Sequence, residues 1–440
     1  MRKRIFFTII LIFSVFGTVF SQNHFTILNQ KKKTKIPYKL INNLIVLQVN
    51  LNGEDLNFLL DTGVRNSLLF NVKSLDSINL KNVKKVRIKG IGNEEYFEAL
   101  ESKKNKIKIK DLFCDDYKIL IILNQEFDFS ARLGIDIHGI IGADLFENFI
   151  VDVNYKRRKL VFNNPETYKY KKCRKCQSFP LNLFFRKPYI NASISTGESE
   201  TKVQLLIDSG SSDALWLIPH SDDRIKVPKR NFDDFLGKGL SGNIFGKKGK
   251  LNSLILGKFE FNNFLVSYPD SVSYELNDSS YERHGIIGAE LLKRFSIIYD
   301  YPNKKISFKK NSNFKDVFFY NKSGLDVIHN GKTLVKEEST QLIVSSDKNS
   351  YEMMGNTIAT YNFSFENSYV ISNVKEKSVA DLVGLKENDL LVEINNTPAY
   401  KLTLQKISAM LSGKEGKRIK ITIRRYGVIK KFKFKLKDLL

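Results

Sequence analysis

Short apolar runs cut by Gly, Asn, Asp and Lys set the hydrophobic pattern of this chain. Long helical periods are few, so the pattern predicts a mainly β protein. Residues 44–51 (Leu-Ile-Val-Leu-Gln-Val-Asn-Leu) read as a strand, Asn52-Gly53-Glu54-Asp55 as a hairpin turn, and 56–60 as the returning strand. Alternation over 83–88 and 106–110, and the apolar stretches 117–123, 149–155 and 159–162, predict further strands. The returning strand runs straight into Asp61-Thr62-Gly63. An acidic tight turn at the end of a buried strand gives the carboxylate a task.

The same order occurs again. Residues 189–194 predict a strand, Thr196-Gly197-Glu198-Ser199 a turn, and 203–207 a return into Asp208-Ser209-Gly210. Downstream, His138-Gly139-Ile140-Ile141-Gly142-Ala143 is matched by His284-Gly285-Ile286-Ile287-Gly288-Ala289. Asp61 lies 78 residues before Gly139, and Asp208 lies 77 before Gly285. A single Asp-[Ser/Thr]-Gly triplet arises by chance roughly once per two thousand positions. Two copies, each on an apolar strand and each with the same later block, mark an internal duplication. The duplicated His138 and His284 read as loop residues inherited with the repeat. Asp152 and Asp300 fall in closing strands outside any such turn.

The first residues change the picture of where the chain goes. Arg2-Lys3-Arg4, an apolar stretch over 5–20 and Val19-Phe20-Ser21 before Gln22 have the form of a signal peptide over 1–21. The expectation is an exported chain, periplasmic or secreted; an uncleaved anchor is disfavoured because the apolar run is short for a spanning helix. Formal charge is +24, and +21 without Arg2, Lys3 and Arg4. That excess could draw the chain to an anionic envelope surface or to acidic substrates. Lysines spread through every segment read more simply as solvated faces, and no nucleic-acid motif accompanies them. Cys173 and Cys176 sit in a basic linker over 169–179, where a small disulfide fits an oxidising compartment better than a redox or zinc site. Cys114 reads as a buried small hydrophobe.

These residues resemble the aspartic peptidases of the pepsin and retropepsin clan, and more closely bacterial retropepsin-like proteins with two fused lobes and a C-terminal PDZ domain. The resemblance implies two homologous acid-protease β-barrel lobes over 22–168 and 180–312, then an α+β PDZ domain over 313–440. It implies Asp61 and Asp208 as the catalytic dyad, supported by Thr62, Gly63, Ser209, Gly210 and Ser211. Two carboxyl groups held close share one proton, one side serving as general base on water and the other as acid. Neither metal nor cofactor is required. Gly90-Ile91-Gly92, and Gly239 and Gly242 of the glycine-bearing loop 237–242, lie where the family places its flaps. Ordinary turn chemistry is the alternative for those glycines. The departures are Val64-Arg65 after the first turn, where Arg65 could lower the dyad's pKa or simply face solvent, and Ser211 after the second, whose hydroxyl could bond Asp208.

From about residue 314 the pattern changes. Residues 369–374, the run Ser378-Val379-Ala380 to Gly384-Leu385, and Asp389 to Ile394-Asn395-Asn396 resemble a PDZ core. Residues 404–411 have helical spacing for a groove helix, and 419–423 and 428–436 form a final hairpin turning at Tyr426-Gly427. Ser323, Gly324 and Leu325 are the candidate carboxylate loop, with Asp326-Val327-Ile328 as groove strand for a C-terminal peptide. The stretch 330–367 is long for a PDZ connection. The expected partners are a peptide or protein substrate and a C-terminal peptide ligand. The fused lobes remove the need for a dimer, so a monomer is expected. A serine protease is disfavoured because no Gly-x-Ser-x-Gly occurs. A peptide-binding protein without turnover is the rival from another class.

Overall fold

The computed structural model describes residues 23–71, 78–88, 97–124, 128–197, 200–219, 221–239, 242–270, 282–345 and 354–440. The segment 1–21 expected to be a signal peptide and the Gly90-Ile91-Gly92 flap candidate lie outside the described residues. Among the described residues, no helix is long and apolar enough to cross a membrane.

The chain is mostly β, with two barrel-like sheets joined by a third and a PDZ domain behind them. In the first sheet, Leu44–Leu51 and Glu54–Leu60 form the predicted hairpin, with Val46 opposite Leu59 and Leu51 opposite Glu54. The strand Gly139–Ile141 then slots between Glu54–Leu60, which it pairs in parallel, and Leu68–Leu69, which it pairs antiparallel. In the second sheet, Gly285–Ile287 slots in the same way between Glu200–Ile207 and Leu215–Leu217. The two copies therefore share topology as well as sequence. Continuous apolar runs at these central strands follow from burial on both faces: Leu47, Phe58, Leu60, Leu205, Ile207 and Ile287 are all at most 1% exposed.

The closing strands do something that each repeat alone did not reveal. Ile150–Asn154 pairs antiparallel with Phe295–Asp300 of the other copy, Asp152 opposite Ile298. Lys159–Asn163 and Lys305–Lys310 flank that pair, and Lys33–Pro37 and Cys176–Pro180 form the edges. One six-stranded sheet thus joins the lobes. Residues 33–37, ahead of the first hairpin, supply its edge strand, with Lys33, Lys35 and Pro37 exposed and Thr34 and Ile36 buried. A single core cluster runs through both lobes, from Leu47 and Phe58 through Val151 and Ile297 to Leu254. Cys173 and Cys176 are joined as a disulfide beside the Cys176–Pro180 strand. Cys114 is buried and free, and burial pushes its thiol up to about 11.

The PDZ domain has its own core of Leu325, Tyr369, Ile371, Ile394, Ile407 and Ile421 among others. The groove helix spans Leu404–Leu411, its N-terminus capped by the Thr403 hydroxyl, which accepts from the Lys406 amide at 3.3 Å. The final hairpin turns at Tyr426 and Gly427, both at positive φ (49° and 80°), as a two-residue hairpin turn demands. Asp389, buried, takes a bidentate pair from Arg425 with both contacts at 2.6 Å. The described parts of the long 330–367 connection form a two-stranded ribbon. Leu325–Ser345 and Met354–Val374 pair along their length, with irregularities between Asp326 and Val327 and between His329 and Lys332.

Candidate active site

Each aspartate follows the end of a central strand, Asp61 after Glu54–Leu60 and Asp208 after Glu200–Ile207, each paired in parallel with its later Gly-Ile-Ile strand. The Asp61 amide donates to Ile141 O at 2.9 Å, and the Asp208 amide to Ile287 O at 3.0 Å. The duplicated Ile-Ile-Gly-Ala block therefore fixes each turn through its backbone. Across the interface the hydroxyls of the turns interlock. The Thr62 hydroxyl donates to Ile207 O at 2.6 Å and accepts from the Ser209 amide at 3.0 Å. The Ser209 hydroxyl donates to Leu60 O at 2.8 Å and accepts from the Thr62 amide at 3.1 Å. Thr62 and Ser209 are 0% and 3% exposed, so these bonds work without competing water.

Gly63 and Gly210 allow the carboxyl groups to meet. A Cβ on Gly63 would lie 2.8 Å from Asp208 Cγ, and one on Gly210 would lie 2.2 Å from Asp61 Oδ2. Any side chain at either position would push the opposing aspartate away. The two carboxyl groups are close enough to hydrogen-bond each other. Burial, then the charge of Asp208 and the bond to it, raise the Asp61 pKa well above the usual carboxylate range. The surroundings are unequal. Asp61 Oδ1 accepts the Gly63 amide at 2.7 Å, whereas Asp208 Oδ1 accepts the amides of Gly210 at 2.8 Å and Ser211 at 3.2 Å. The Ser211 amide, not its hydroxyl as anticipated, makes that extra bond, because the second turn curls its next N–H back onto the carboxylate.

The dyad opens into a cavity of about 1170 Å³, lined on one side by Asn43, Leu44, Leu59 and Ile140 and on the other by Tyr189, Trp216 and Ile286. This cleft holds a cation that the sequence did not single out. Lys187, mostly buried, lines it beside the dyad. Burial and the neighbouring Arg283 hold its ammonium below the usual lysine range, while Asp61 and Asp208 draw it back up. Lys187, not Arg65, is the positive charge that acts on Asp61. Arg65 is exposed, its guanidinium carbon 5.0 Å from the centre of the Phe185 ring. Removing the Lys187 charge leaves the dyad anion less favoured. The acid limb of any activity profile should therefore move to higher pH in Lys187→Met, by up to about one unit. A pH profile of kcat/KM checks this, and a shift to lower pH would contradict it.

The repeat also builds a reciprocal clasp. The hairpin turn Asn42-Asn43 of the first lobe reaches the second, where Asn43 Nδ2 donates to Ser212 O at 3.1 Å and to Glu290 Oε2 at 2.9 Å. The turn Phe185-Arg186 of the second lobe reaches the first. There Arg186 donates to Arg65 O at 3.0 Å, to Asp144 Oδ1 at 2.5 Å and to both oxygens of Glu147. All four turn residues sit at positive φ, which lets each hairpin end tightly enough to cross. His138 and His284 also have matching tasks, each Nδ1 accepting an inner-strand amide, from Asn57 at 3.1 Å and from Gln204 at 3.0 Å.

Residues 47–145 match a family model described as aspartyl protease, and residues 370–425 match one described as PDZ domain. The chain carries an aspartyl-protease segment and a PDZ domain. No curated protein matches it. Among solved structures it is similar to an aspartic proteinase from Irpex lacteus, at 17% identity and a TM-score of 0.43, covering 64% of this chain and 99% of that one. The protease match contains Asp61 and its bracing Gly142 but ends before the second turn. The equivalence of Asp208 lies in the strand registers above. A protease segment joined to a PDZ domain implies binding of a peptide or protein.

The other predicted site residues fall as follows. Asn231–Gly239 and Gly242–Leu256 form a hairpin with Gly239 opposite Gly242 at its tip, and Gly237 and Gly239 line the cavity. Leu325 lines the same cavity, while the Ser323 hydroxyl is spent inside its own loop, donating to Asn321 and accepting from the Leu325 amide at 3.1 Å. Gly324 has φ 78°, and a Cβ there would lie 2.2 Å from the Ser378 side chain. One ionic chain was invisible from spacing. Asp213, five residues after Asp208, accepts from Trp216 Nε1 at 2.9 Å and lies 3.5 Å from Lys248. Lys248 pairs with Asp234 at 3.1 Å, and Asp234 with Lys375 of the PDZ domain at 2.6 Å.

Proposed function

We propose that the protein is an exported aspartic endopeptidase that cleaves peptide bonds with the Asp61/Asp208 pair. The observation that carries this reading is the contact of the two carboxyl groups, clamped by Thr62 and Ser209 and facing a large cleft. Two carboxyl groups in contact cannot both ionise, so the pair holds one proton. A water between them loses a proton to the anionic carboxyl group as its oxygen attacks the scissile carbonyl carbon. The protonated partner donates to the carbonyl oxygen, and a proton then passes to the leaving nitrogen as the C–N bond breaks. Asp208 accepts one amide more than Asp61, whose pKa is raised, and in this reading the pair's shared proton rests on Asp61. The hairpin tip at Gly239 and Gly242 is the second-lobe flap in this reading, and the PDZ domain recognises peptide.

The test is cleavage of a mixed peptide library by the full mature chain across acidic to neutral pH, followed by mass spectrometry. Cleavage is expected in wild type and absent in Asp61→Asn and Asp208→Asn. Binding without cleavage at any pH would instead mark a peptide-binding protein on this fold. Export is checked by N-terminal sequencing of the chain from a cell envelope fraction, with Gln22 expected as the first residue.

A further inference from the structure

The second-lobe hairpin forms a wall of the cleft, where Phe235, Leu236, Gly237 and Ile244 line the cavity that holds the dyad. Leu236 and Ile244 share a buried cluster with Trp216 and Ile286. Trp216 Nε1 donates to Asp213, five residues past Asp208. The wall therefore rests on the segment that follows the second acidic turn. Its own sheet supports it on one side only. Among the described residues, Asn231–Gly239 is the edge strand and pairs with Gly242–Leu256 alone. The pairing of Gly242–Leu256 with the next strand stops at Gly246 opposite Pro269, so the hairpin end over the cleft extends beyond the rest of the sheet.

Further support comes from outside the second lobe. Lys375 of the PDZ domain pairs with Asp234 at 2.6 Å, and its Nζ lies 4.6 Å from the centre of the Phe232 ring. Phe232 stacks on Tyr320, with ring centres 6.1 Å apart. Lys250 lies 3.6 Å from Asp438, which also accepts from the Tyr320 hydroxyl. From the first lobe, the Arg132 guanidinium carbon lies 3.9 Å from the centre of the Phe235 ring. The Lys375–Asp234 pair is the strongest of these contacts. Both side chains are 13% exposed, so solvent screens the pair less than a surface one. Burial pushes the Asp234 carboxyl up, but Lys248 and Lys375 outweigh it and hold it below the usual carboxylate range.

We infer that Lys375 is a positioning residue for peptide cleavage, through which the PDZ domain holds the edge strand at Asp234 and fixes the hairpin wall against bound peptide. The inference rests on the reading of Asp61 and Asp208 as a peptidase pair. A wall already in place when peptide arrives costs no ordering on binding. Without Lys375 the edge strand loses its outer support, and part of the binding free energy goes into ordering it. The loss then appears as weaker binding rather than slower chemistry. In Lys375→Met the Asp234 carboxylate keeps Lys248 at 3.1 Å, so no buried charge is left alone.

The experiment measures kcat and KM of the full mature chain on one peptide that wild type cleaves. Lys375→Met is expected to raise KM about tenfold with kcat within about twofold, since one charge-assisted contact is lost ahead of binding. A merely structural role would shrink the folded fraction, lowering apparent kcat at unchanged KM. Lys375→Arg, which keeps the charge, should return KM to within about threefold of wild type. The double variant Lys375→Met with Asp234→Asn should be no worse than Asp234→Asn alone, because Lys375 acts through that acid. Amides of residues 231–239 should exchange about tenfold faster in Lys375→Met, while those of 295–300 keep their protection. Unchanged KM, or additive losses in the double variant, with cleavage still abolished by Asp208→Asn, would overturn this inference and leave the peptidase reading intact. Cleavage that survives Asp208→Asn, or none by wild type, would instead remove the peptidase reading. Hydrogen exchange then decides the support separately, faster exchange upholding it and unchanged exchange overturning it.

Discussion

Asp208→Asn is expected to lower kcat/KM for peptide cleavage by at least about 10³-fold at every pH, as removal of a general acid–base group should. Asp61→Asn is expected to do the same, but with a second effect that separates the two. In the folded chain, burial and the neighbouring Asp208 raise the Asp61 pKa well above its unfolded value. The folded state therefore keeps a proton that the unfolded chain gives up. The stabilising contribution of that bound proton is complete below the unfolded carboxylate pKa, and it is lost as pH rises through the folded pKa. Asp61→Asn carries no such proton and escapes the loss. Its melting temperature should equal that of wild type near pH 3 and exceed it near pH 7. Calorimetry at the two pH values checks this. A melting temperature that falls on substitution at pH 7 would mean that Asp61 is not held neutral by its surroundings.

Much of the geometry of the two acidic turns was legible because its parts are local. The triplets Asp61-Thr62-Gly63 and Asp208-Ser209-Gly210 and the bracing blocks at Gly139 and Gly285 each carry their geometry within a few residues, and duplication multiplies the signal. The groove helix and the Tyr426-Gly427 turn were readable for the same reason: apolar spacing in one, turn chemistry in the other. What escaped were relations that only the tertiary fold creates. Nothing in the spacing of Ile150–Asn154 and Phe295–Asp300 says that these strands pair with each other rather than sealing their own lobes. Arg65 drew attention as the cation next to Asp61 in sequence, yet Lys187 is the one beside it in space, because the Phe184–Lys187 hairpin end crosses the interface. The chain Asp213–Lys248–Asp234–Lys375 joins the second acidic turn, both strands of the 231–256 hairpin and the PDZ domain, and each member alone looks like a surface charge. Charge partners of that kind have no signature in a single sequence.

Arg186→Ala tests how far the lobes depend on their clasp, and its expected effect is the largest on stability. Asp144 is fully buried and satisfied from three sides, by the Ser67 hydroxyl at 2.8 Å, the Tyr117 hydroxyl at 3.2 Å and Arg186 at 2.5 Å. The two hydroxyls cannot neutralise a carboxylate, so removal of Arg186 strands its charge inside the first lobe. Loss of one partner of a buried pair costs about 3–5 kcal/mol. The Arg65 carbonyl and Glu147 lose their donor in the same step, which loosens the turn that follows Asp61. The counterpart Asn43→Ala removes a neutral side chain bonded to the Glu290 carboxylate and the Lys293 ammonium, but no charge is left alone, since Glu290 retains Arg294 at 2.9 Å and Lys293. Its cost should be about 2 kcal/mol. Denaturant unfolding of the two variants should thus be unequal despite their matching positions in the repeat. Replacing both charges, as Asp144→Asn with Arg186→Met, should recover most of the loss, because no buried charge then remains unpaired. Equal destabilisation by Arg186→Ala and Asn43→Ala would show that the clasp acts by shape alone and that the buried charge at Asp144 is of no consequence.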